Sequence, residues 1–427
     1  VRVSTATRQE SIVRPFGIDD PRLDRLIDIW TRAYTAMNAF TPDARQQYIA
    51  SIREYLDDEP GVTLWAAERD GAFVGAMRLH DFTMRIRSAE GLVGGVGMVG
   101  VDLLHKKEGV ARDLIAAYLS HYRERGATMA ILHPFRPDFY RRMGFGYGTK
   151  MNQYRLAPTT LTAHVERTRV RALGPTDTDA LLACYDRVQA RTNGLIRKTR
   201  QRIVRALGNQ AKPTVGYAEG DTLRGFLTFG FRAGQAMNTN DLIVSEMIYE
   251  TPAALAGLLA FLQSQADQFA TVVLPTQEED FHFLPSDPRN GTGNIIHPPA
   301  YHETNTQGLG VMYRVIDTPG VFALLRDHDF GGQSCTLRLT IEDSFFPANA
   351  GTTTIRFTNG YPEVVATAAE AIDLTLDVSD FSALLIGSVR FRTLHMHGRA
   401  RVADPAQVAT IDRLFLADAP PICTTGF

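Results

Sequence analysis

A chain of 427 residues has room for two or three domains of roughly 150 residues each. Its 44% hydrophobic and 22% charged residues suit a globular protein with a sizeable core. Its 45 Lys+Arg against 47 Asp+Glu leave no global field for nucleic acid or an anionic membrane.

Three scattered cysteines, Cys184, Cys335 and Cys423, cannot build a disulfide framework and fit a reducing compartment. The first residues, "VRVSTATRQESIVRPFGIDD", show no apolar signal region, and no stretch reaches the ~20 apolar residues that span a bilayer. Together these features predict a cytoplasmic protein.

In chain order, "DPRLDRLIDIWTRAYTAM" (20–37) spaces Leu23, Leu26, Ile27, Trp30 and Tyr34 as one face of a helix behind an Asp-Pro start. "VTLWAAERDGAFVGAMRLHDF" reads as two strands about an Asp70-Gly71 hairpin turn. "LVGGVGMVGVDLL" follows as a strand, "GVARDLIAAYLSHYRERG" as an amphipathic helix closed by Gly126, and "TMAILHPF" as a further strand. The order predicts an α/β or α+β domain over 1–156.

A weaker echo occupies 157–307. Ala67-Glu68-x-Asp70…Gly75 returns as Ala218-Glu219-x-Asp221…Gly225, and 242–274 repeats strand, helix, strand, so the domain reads as duplicated. The polar stretch 284–305 reads as a loop or boundary. From 308 to 427, alternating runs such as "CTLRLTIED", "TTTIRFTN" and "LTLDVSDFSALLIG", with two helical stretches, predict a third, α+β domain.

Two glycine patterns in "GGVGMVGVDLLHKKEGVARDLI" compete for a phosphate. Gly95-x-Gly97-x-x-Gly100 matches the dinucleotide fingerprint in letters. That fingerprint must leave a strand and open a helix, with an acid about 20 residues on. Here the apolar run continues through Leu104 and the acid is missing, so these glycines are better read as a bulge or a close backbone approach. Lys106-x-x-Gly109-x-Ala111 has the right context, a short basic loop opening a helix whose first N–H groups attract anions. Taken alone it could equally be a solvated basic turn.

Thirty residues further on stands "PDFYRRMGFGYG". Strand, basic helix start, strand and Phe-Tyr-x-x-x-Gly-Phe together resemble the acetyl-CoA-binding core of GNAT N-acetyltransferases. With "LLHKKEGV", the three-part layout and a final Phe, the whole chain resembles the enhanced-intracellular-survival (Eis) family, most strongly over 95–150 and at the terminus.

The resemblance implies two tandem GNAT-like domains, a sterol-carrier-protein-like α+β domain, and a homohexamer (a trimer of dimers). It also implies acetyl-CoA as cosubstrate, with no metal, and an amine acceptor, foremost an aminoglycoside-type polyamine. Protein lysines are the alternative within this class. A non-enzymatic lipid binder is the alternative outside it.

By the same resemblance, Val99, Gly100 and Val101 pair with the pantetheine arm through their backbone. Lys107, Glu108, Gly109, Val110, Ala111 and Arg112 form the pyrophosphate loop. Glu108 departs from a phosphate-friendly pattern and is expected to point to solvent. Phe135 and Arg136 fall at CoA-contacting positions that often carry Ser and an acid in relatives. Tyr140 corresponds to the general acid; on sequence alone it could be a core tyrosine beside Phe139. The Phe427 α-carboxylate corresponds to the base; on sequence alone it could be a frayed end.

The second unit offers "IYETPAA", with Glu250 and a proline where the first has "HKKEGVA", so one CoA site per chain is expected. His395-x-His397, read as a strand pair, and His297 with His302 lack further ligands and are assigned structural roles. Cys423 has nothing nearby in sequence to activate it. Asp19, Asp20 and Asp28 around Trp30 are read as a solvated helix face before a cation-accepting cleft.

Overall fold

The computed structural model describes residues 9–236, 239–297 and 300–427; the first eight residues of the segment read for a signal lie outside them. The first repeat runs β1 (Ile12–Phe16), α1 (Leu23–Ala33), α2 (Pro42–Asp58), β2 (Val62–Arg69), β3 (Ala72–Ile86), β4 (Ala89–Val101), α3 (Val110–Glu124), β5 (Met129–Leu132), α4 (Pro137–Arg141) and β6 (Gly146–Tyr147).

The second runs β7 (Met151–Leu156), β8 (Val170–Leu173), α5 (Thr178–Gln189), α6 (Arg200–Gly208), β9 (Thr214–Glu219), β10 (Thr222–Arg232), β11 (Asn240–Tyr249), α7 (Pro252–Gln263) and β12 (Phe269–Thr276). It ends with the short strands β13 (Ile295–His297), β14 (Tyr301–His302) and β15 (Asn305–Gly308).

The last part runs β16 (Met312–Val315), α8 (Thr318–Leu324), β17 (Cys335–Glu342), β18 (Gly351–Thr358), β19 (Tyr361–Val365) and β20 (Ile372–Asp377). α9 (Val378–Ile386), α10 (Phe391–Met396), β21 (Ala400–Val402) and α11 (Val408–Leu414) complete it.

Two compact units result, with boundaries at 148/149 and 310/311 where the sequence placed them at 156/157 and 307/308. β7 is the reason for the first shift, because its residues pair with β12 and β15 in the second sheet. One unit joins the first repeat to residues 311–421 and 425–427; the other holds 149–310 and 422–424.

In the first unit the sheet order is β1-β2-β3-β4-β5-β16-β6. The hairpin turn falls at Asp70 and Gly71, both with positive φ (48° and 78°), the backbone a two-residue primed turn requires. α3 lays Leu114, Ile115, Tyr118, Leu119 and Tyr122 on the sheet, each fully buried and worth roughly 1.5–3 kcal/mol. The Tyr118 hydroxyl donates to Gly94 O at 2.6 Å and accepts from Ile131 N at 3.0 Å, tying the helix to two strands.

The strand β16 enters the first sheet antiparallel to β5 and β6, so residues from beyond the second repeat complete the first. It carries Arg314, wholly buried and paired at 2.8 Å with Asp343, itself wholly buried. A second sheet of order β19-β18-β17-β20-β21 belongs to the same unit. Its interior is filled by the rings of Phe322, Phe330, Phe357, Phe381 and Phe415.

Three readings need correction. "LTLDVSDFSALLIG" is not one alternating run: β20 stops at Asp377, whose carboxylate caps α9, and every residue of α9 is buried. A helix buried all round has no polar face to reveal its period. His395 lies in α10 with His397 at its end, so the two do not share a strand face. The stretch 284–305 holds a short hairpin, β13 and β14.

The other unit repeats the plan, with order β15-β7-β12-β11-β10-β9-β8. Its core gathers Tyr217, Leu227, Leu242, Leu258, Leu262, Val272 and Phe281 against α7.

Candidate active site

The site begins with a fault in β4. Ala76 pairs with Gly100 and Arg78 with Gly97, so Met98 and Val99 together face Met77. Met98 takes a positive φ of 55°, rare for a side-chain-bearing residue outside a functional or bulged position. The bulge turns β4 away from β5, and their parallel pairing covers only Val93–Val96 against Met129–Leu132. Beyond it no strand among the described residues pairs with this edge of β4.

Asp102 N donates to Val74 O across the hairpin at 2.9 Å, so by alternation Gly100 faces β3 while Val99 and Val101 turn to the open side. Trp30 Nε1 holds Met98 O at 2.6 Å and the Tyr34 hydroxyl holds Val99 O at 3.2 Å, which fixes the bulge from α1.

The glycines of the rejected fingerprint serve close packing. A side chain on Gly95 would strike the Phe82 ring at 2.3 Å, and one on Gly97 would lie 3.1 Å from the carboxyl carbon of Phe427.

The open edge leads to the start of α3. Gly109 caps this helix with φ 89°, so it offers no side-chain acceptor to the first-turn N–H groups, and no Cβ stands before them. Lys106 and Lys107 are exposed here, and Lys107 is itself at φ 67°. Val110 is buried beneath the turn, Ala111 is half-buried, and Arg112 is exposed with its guanidinium over Phe345.

Glu108 is exposed, and its carboxylate is also engaged by neighbouring side chains. Arg69 Nη1 reaches its carboxylate at 2.9 Å and His105 Nδ1 lies 3.0 Å from it. Arg69 also lies 3.6 Å from Asp113, so one arginine offsets both acids beside the helix start.

Phe135 and Arg136 open α4. Phe135 is 66% exposed, with its ring edge-on to Tyr140, and Arg136 pairs with Asp138 at 2.7 Å. Tyr140 is 3% exposed between Phe135, Phe139 and Phe145, and no described residue bonds its hydroxyl. Burial, reinforced by the field of Tyr34, raises its pKa well above that of a free phenol. The group therefore keeps its proton throughout the neutral range.

Phe427 is half-buried. Its ring meets Phe82, His133 and His80, with centroids at 4.9, 4.8 and 5.5 Å, and His133 Nε2 lies 3.1 Å from Thr425 O.

Sequence reasoning missed a group of side chains beside the bulge, two of which, His80 and Phe82, meet the Phe427 ring. Arg78, His80 and Phe82 share one face of β3, and Tyr34, Tyr48 and Tyr55 come from α1 and α2. Arg78 Nε donates to His80 Nε2 at 3.1 Å, and its guanidinium lies 4.6 Å from the Tyr55 ring centre. The period-two spacing of "RLHDF" was the available signal. The acids of α1 are engaged elsewhere: Asp24 and Asp28 by Arg45, Asp19 by Arg53 and Asp20 by Arg22.

Comparison with known proteins agrees with this construction. Residues 17–148 and 188–315 each match a model of the GNAT acetyltransferase domain, and 321–424 match a sterol carrier protein domain. An uncharacterised N-acetyltransferase of Streptomyces coelicolor is 25% identical over 407 residues, covering 88% of this chain and 91% of its own. A GCN5-related N-acetyltransferase of Kribbella flavida superposes with a TM-score of 0.77 at 20% identity, covering 98% of this chain and all of that one. Eis1 of Mycobacterium abscessus does so with 0.75 at 16% identity, over 98% of this chain and all of its own.

Fold and site thus define an acetyltransferase enzyme of the GNAT type, α+β in class. More particularly, the chain carries two GNAT domains followed by a sterol carrier protein domain. GNAT domains use acetyl-CoA, and the open β4 edge with its glycine-led helix start fits a pantetheine arm ending in a pyrophosphate. Among the described residues no helix is long and apolar enough to cross a membrane, and no cluster of three metal-ligating side chains occurs.

Proposed function

We propose that this enzyme acetylates a primary amine by direct attack on acetyl-CoA, as an Eis-like member of its class. The observation that carries the reading is the bulged edge of β4, linked through Tyr34 to a buried, protonated Tyr140 and flanked at Gly97 by the Phe427 carboxyl group.

Val99 and Val101 would hold the pantetheine amides. Lys106, Lys107 and the Gly109–Arg112 turn would hold the pyrophosphate, with Phe135 and Arg136 along its flank. The Phe427 carboxylate accepts the proton that the amine sheds as the C–N bond forms. Tyr140 gives its proton to the sulfur as the C–S bond breaks.

An aminoglycoside-type polyamine is the acceptor implied by the Eis resemblance, and a lysine side chain is the other. Three free cysteines suit a cytoplasmic setting, and a homohexamer is the assembly that accompanies this reading.

The test is release of free CoA thiol on mixing the full chain with acetyl-CoA and polyamine antibiotics, simple polyamines, lysine peptides or amino acids. Turnover with any amine, abolished by extending the chain past Phe427 while acetyl-CoA still binds, supports both halves of the proposal. Full activity in the extended protein removes Phe427 as base. No turnover with any amine removes the amine reading.

A further inference from the structure

Resting on that reading, we infer that the acceptor amine also carries a carboxylate, and that Arg78 receives it. Arg78 stands opposite Gly97 at the bulge, on the face of β3 that also bears His80 and Phe82 and that meets Phe427. It is half-buried beneath α2.

Around it stand the His80 ring, whose Nε2 accepts from Nε, and the side chains of Tyr34, Tyr48 and Tyr55. Among the described residues no carboxylate pairs with Arg78, the Phe427 carboxyl group included.

This contrasts with four other arginines of the first repeat that hold an acid: Arg22 with Asp20, Arg25 with Asp102, Arg45 with Asp28 and Arg125 with Asp81. A guanidinium partly withdrawn from water and left with an aromatic face and an imidazole lone pair has given up hydration without gaining an anion. An arriving carboxylate restores that loss. With Nε committed to His80, the two terminal nitrogens present the parallel donors that a carboxylate accepts.

The field of Arg78 also reaches the neighbouring phenols. Burial raises Tyr34 and lifts Tyr48 to about 12, while Arg78 pulls both the other way. Tyr34 in turn is felt by Tyr140.

The same charge repels a polycation. Asp19, Asp20, Asp24 and Asp28 on the α1 side each already hold an arginine, which reduces what they can offer to offset that repulsion. An amino carboxylic acid therefore fits this group of side chains better than an aminoglycoside.

The experiment compares kcat/KM for phenylalanine, lysine and glutamate with kcat/KM for their carboxamides and for kanamycin, using the full chain and Arg78→Met. The wild-type protein should favour the acids over the amides roughly 10–10²-fold, the range of one charge-assisted contact. Arg78→Met should bring that ratio to about one, and Arg78→Lys should restore part of it. Calorimetry of the CoA-loaded protein with N-acetylphenylalanine and its amide reads the same preference without turnover.

Equal or better use of amides or kanamycin by the wild-type protein overturns the inference while leaving amine acetylation intact. So does an Arg78→Met variant that lowers acids and amides alike, since Arg78 would then serve His80 or Phe427. Absence of turnover with every acceptor, and of binding by the acetylated acid, overturns both readings.

Discussion

The two GNAT repeats share a plan and differ at one turn. In each, a glycine of the hairpin strand (Gly75 or Gly225) passes beneath the helix start, and the central strand carries a bulge, at Met98–Val99 in β4 and opposite Thr228/Phe229 in β11. The helix starts then diverge. α3 begins at Gly109 with no capping side chain.

α7 begins at Thr251, whose hydroxyl accepts from Ala254 N at 3.1 Å, followed by Pro252, which has no N–H to offer. Before it, the Glu250 carboxylate is 5% exposed and held by Arg187 at 2.5 Å and Arg224 at 3.1 Å. Both repeats thus set an arginine-held glutamate before the helix, Glu108 more exposed than Glu250, and the second adds a threonine cap and a proline where the first has Gly109. A side-chain cap can be built into a helix start, as at Thr251, or omitted, as at Gly109.

The sharpest way to break this comparison is at the acid. Tyr140→Phe keeps the ring and its packing and removes the proton, so kcat should fall roughly 10²–10⁴-fold with acetyl-CoA affinity unchanged. Near-native kcat would mean that another group protonates the thiolate.

Next in size is Gly109→Glu. Placing a side chain at φ 89° and a negative charge at the helix start should weaken acetyl-CoA binding by about 10²-fold in calorimetry, equivalent to ~2.7 kcal/mol. The wild-type protein should titrate to one CoA per chain. A second equivalent would show that the α7 start also takes a ligand.

Smaller is Glu250→Gln, which leaves Arg187 and Arg224 without their anion and should cost about 2 kcal/mol of stability at neutral pH without changing CoA affinity. Burial pushes the Glu250 pKa up, but hydrogen bonds from the two arginines outweigh it and leave the group below the ordinary carboxylate range. A depressed carboxylate stabilises above its unfolded pKa and loses that contribution as pH falls through its folded one. The gap in melting temperature between variant and wild type should therefore close below about pH 4.

The smallest effect concerns pH and rate. Because the Tyr140 pKa is raised, its proton should not limit kcat between pH 7 and 9. A falling alkaline limb in that window, absent from Tyr140→Phe, would contradict its burial.

Most of the first repeat was legible because its signals are local. Asp70-Gly71 carries its own turn, and Gly109 behind two lysines carries its own helix start. The proline and the threonine cap of "IYETPAA" were legible for the same reason, whereas the two arginines that offset Glu250 were not.

What escaped depends on partners far apart in sequence. Arg69 reaches Glu108 across 39 positions, the Phe427 ring settles on a strand face more than 300 residues earlier, and Arg78 is informative only through what stands around it. Nothing in "VMYRVI" says that β16 will enter the first sheet, and α9 hides its period because all its faces are covered.

That entry of β16 bears on how the protein is made. When β5 leaves the ribosome its far edge has no strand to pair with, and Met129–Leu132 is wholly apolar. The strand that covers it is not synthesised until the second repeat is complete, on the order of ten seconds or more later at ~5–20 residues per second. Throughout that interval the nascent chain presents an open, hydrophobic strand edge, the feature most prone to pair with a neighbouring chain. A gene fragment ending near Tyr147 would hold this vulnerable state permanently, and nascent-chain chaperones would find their natural target there.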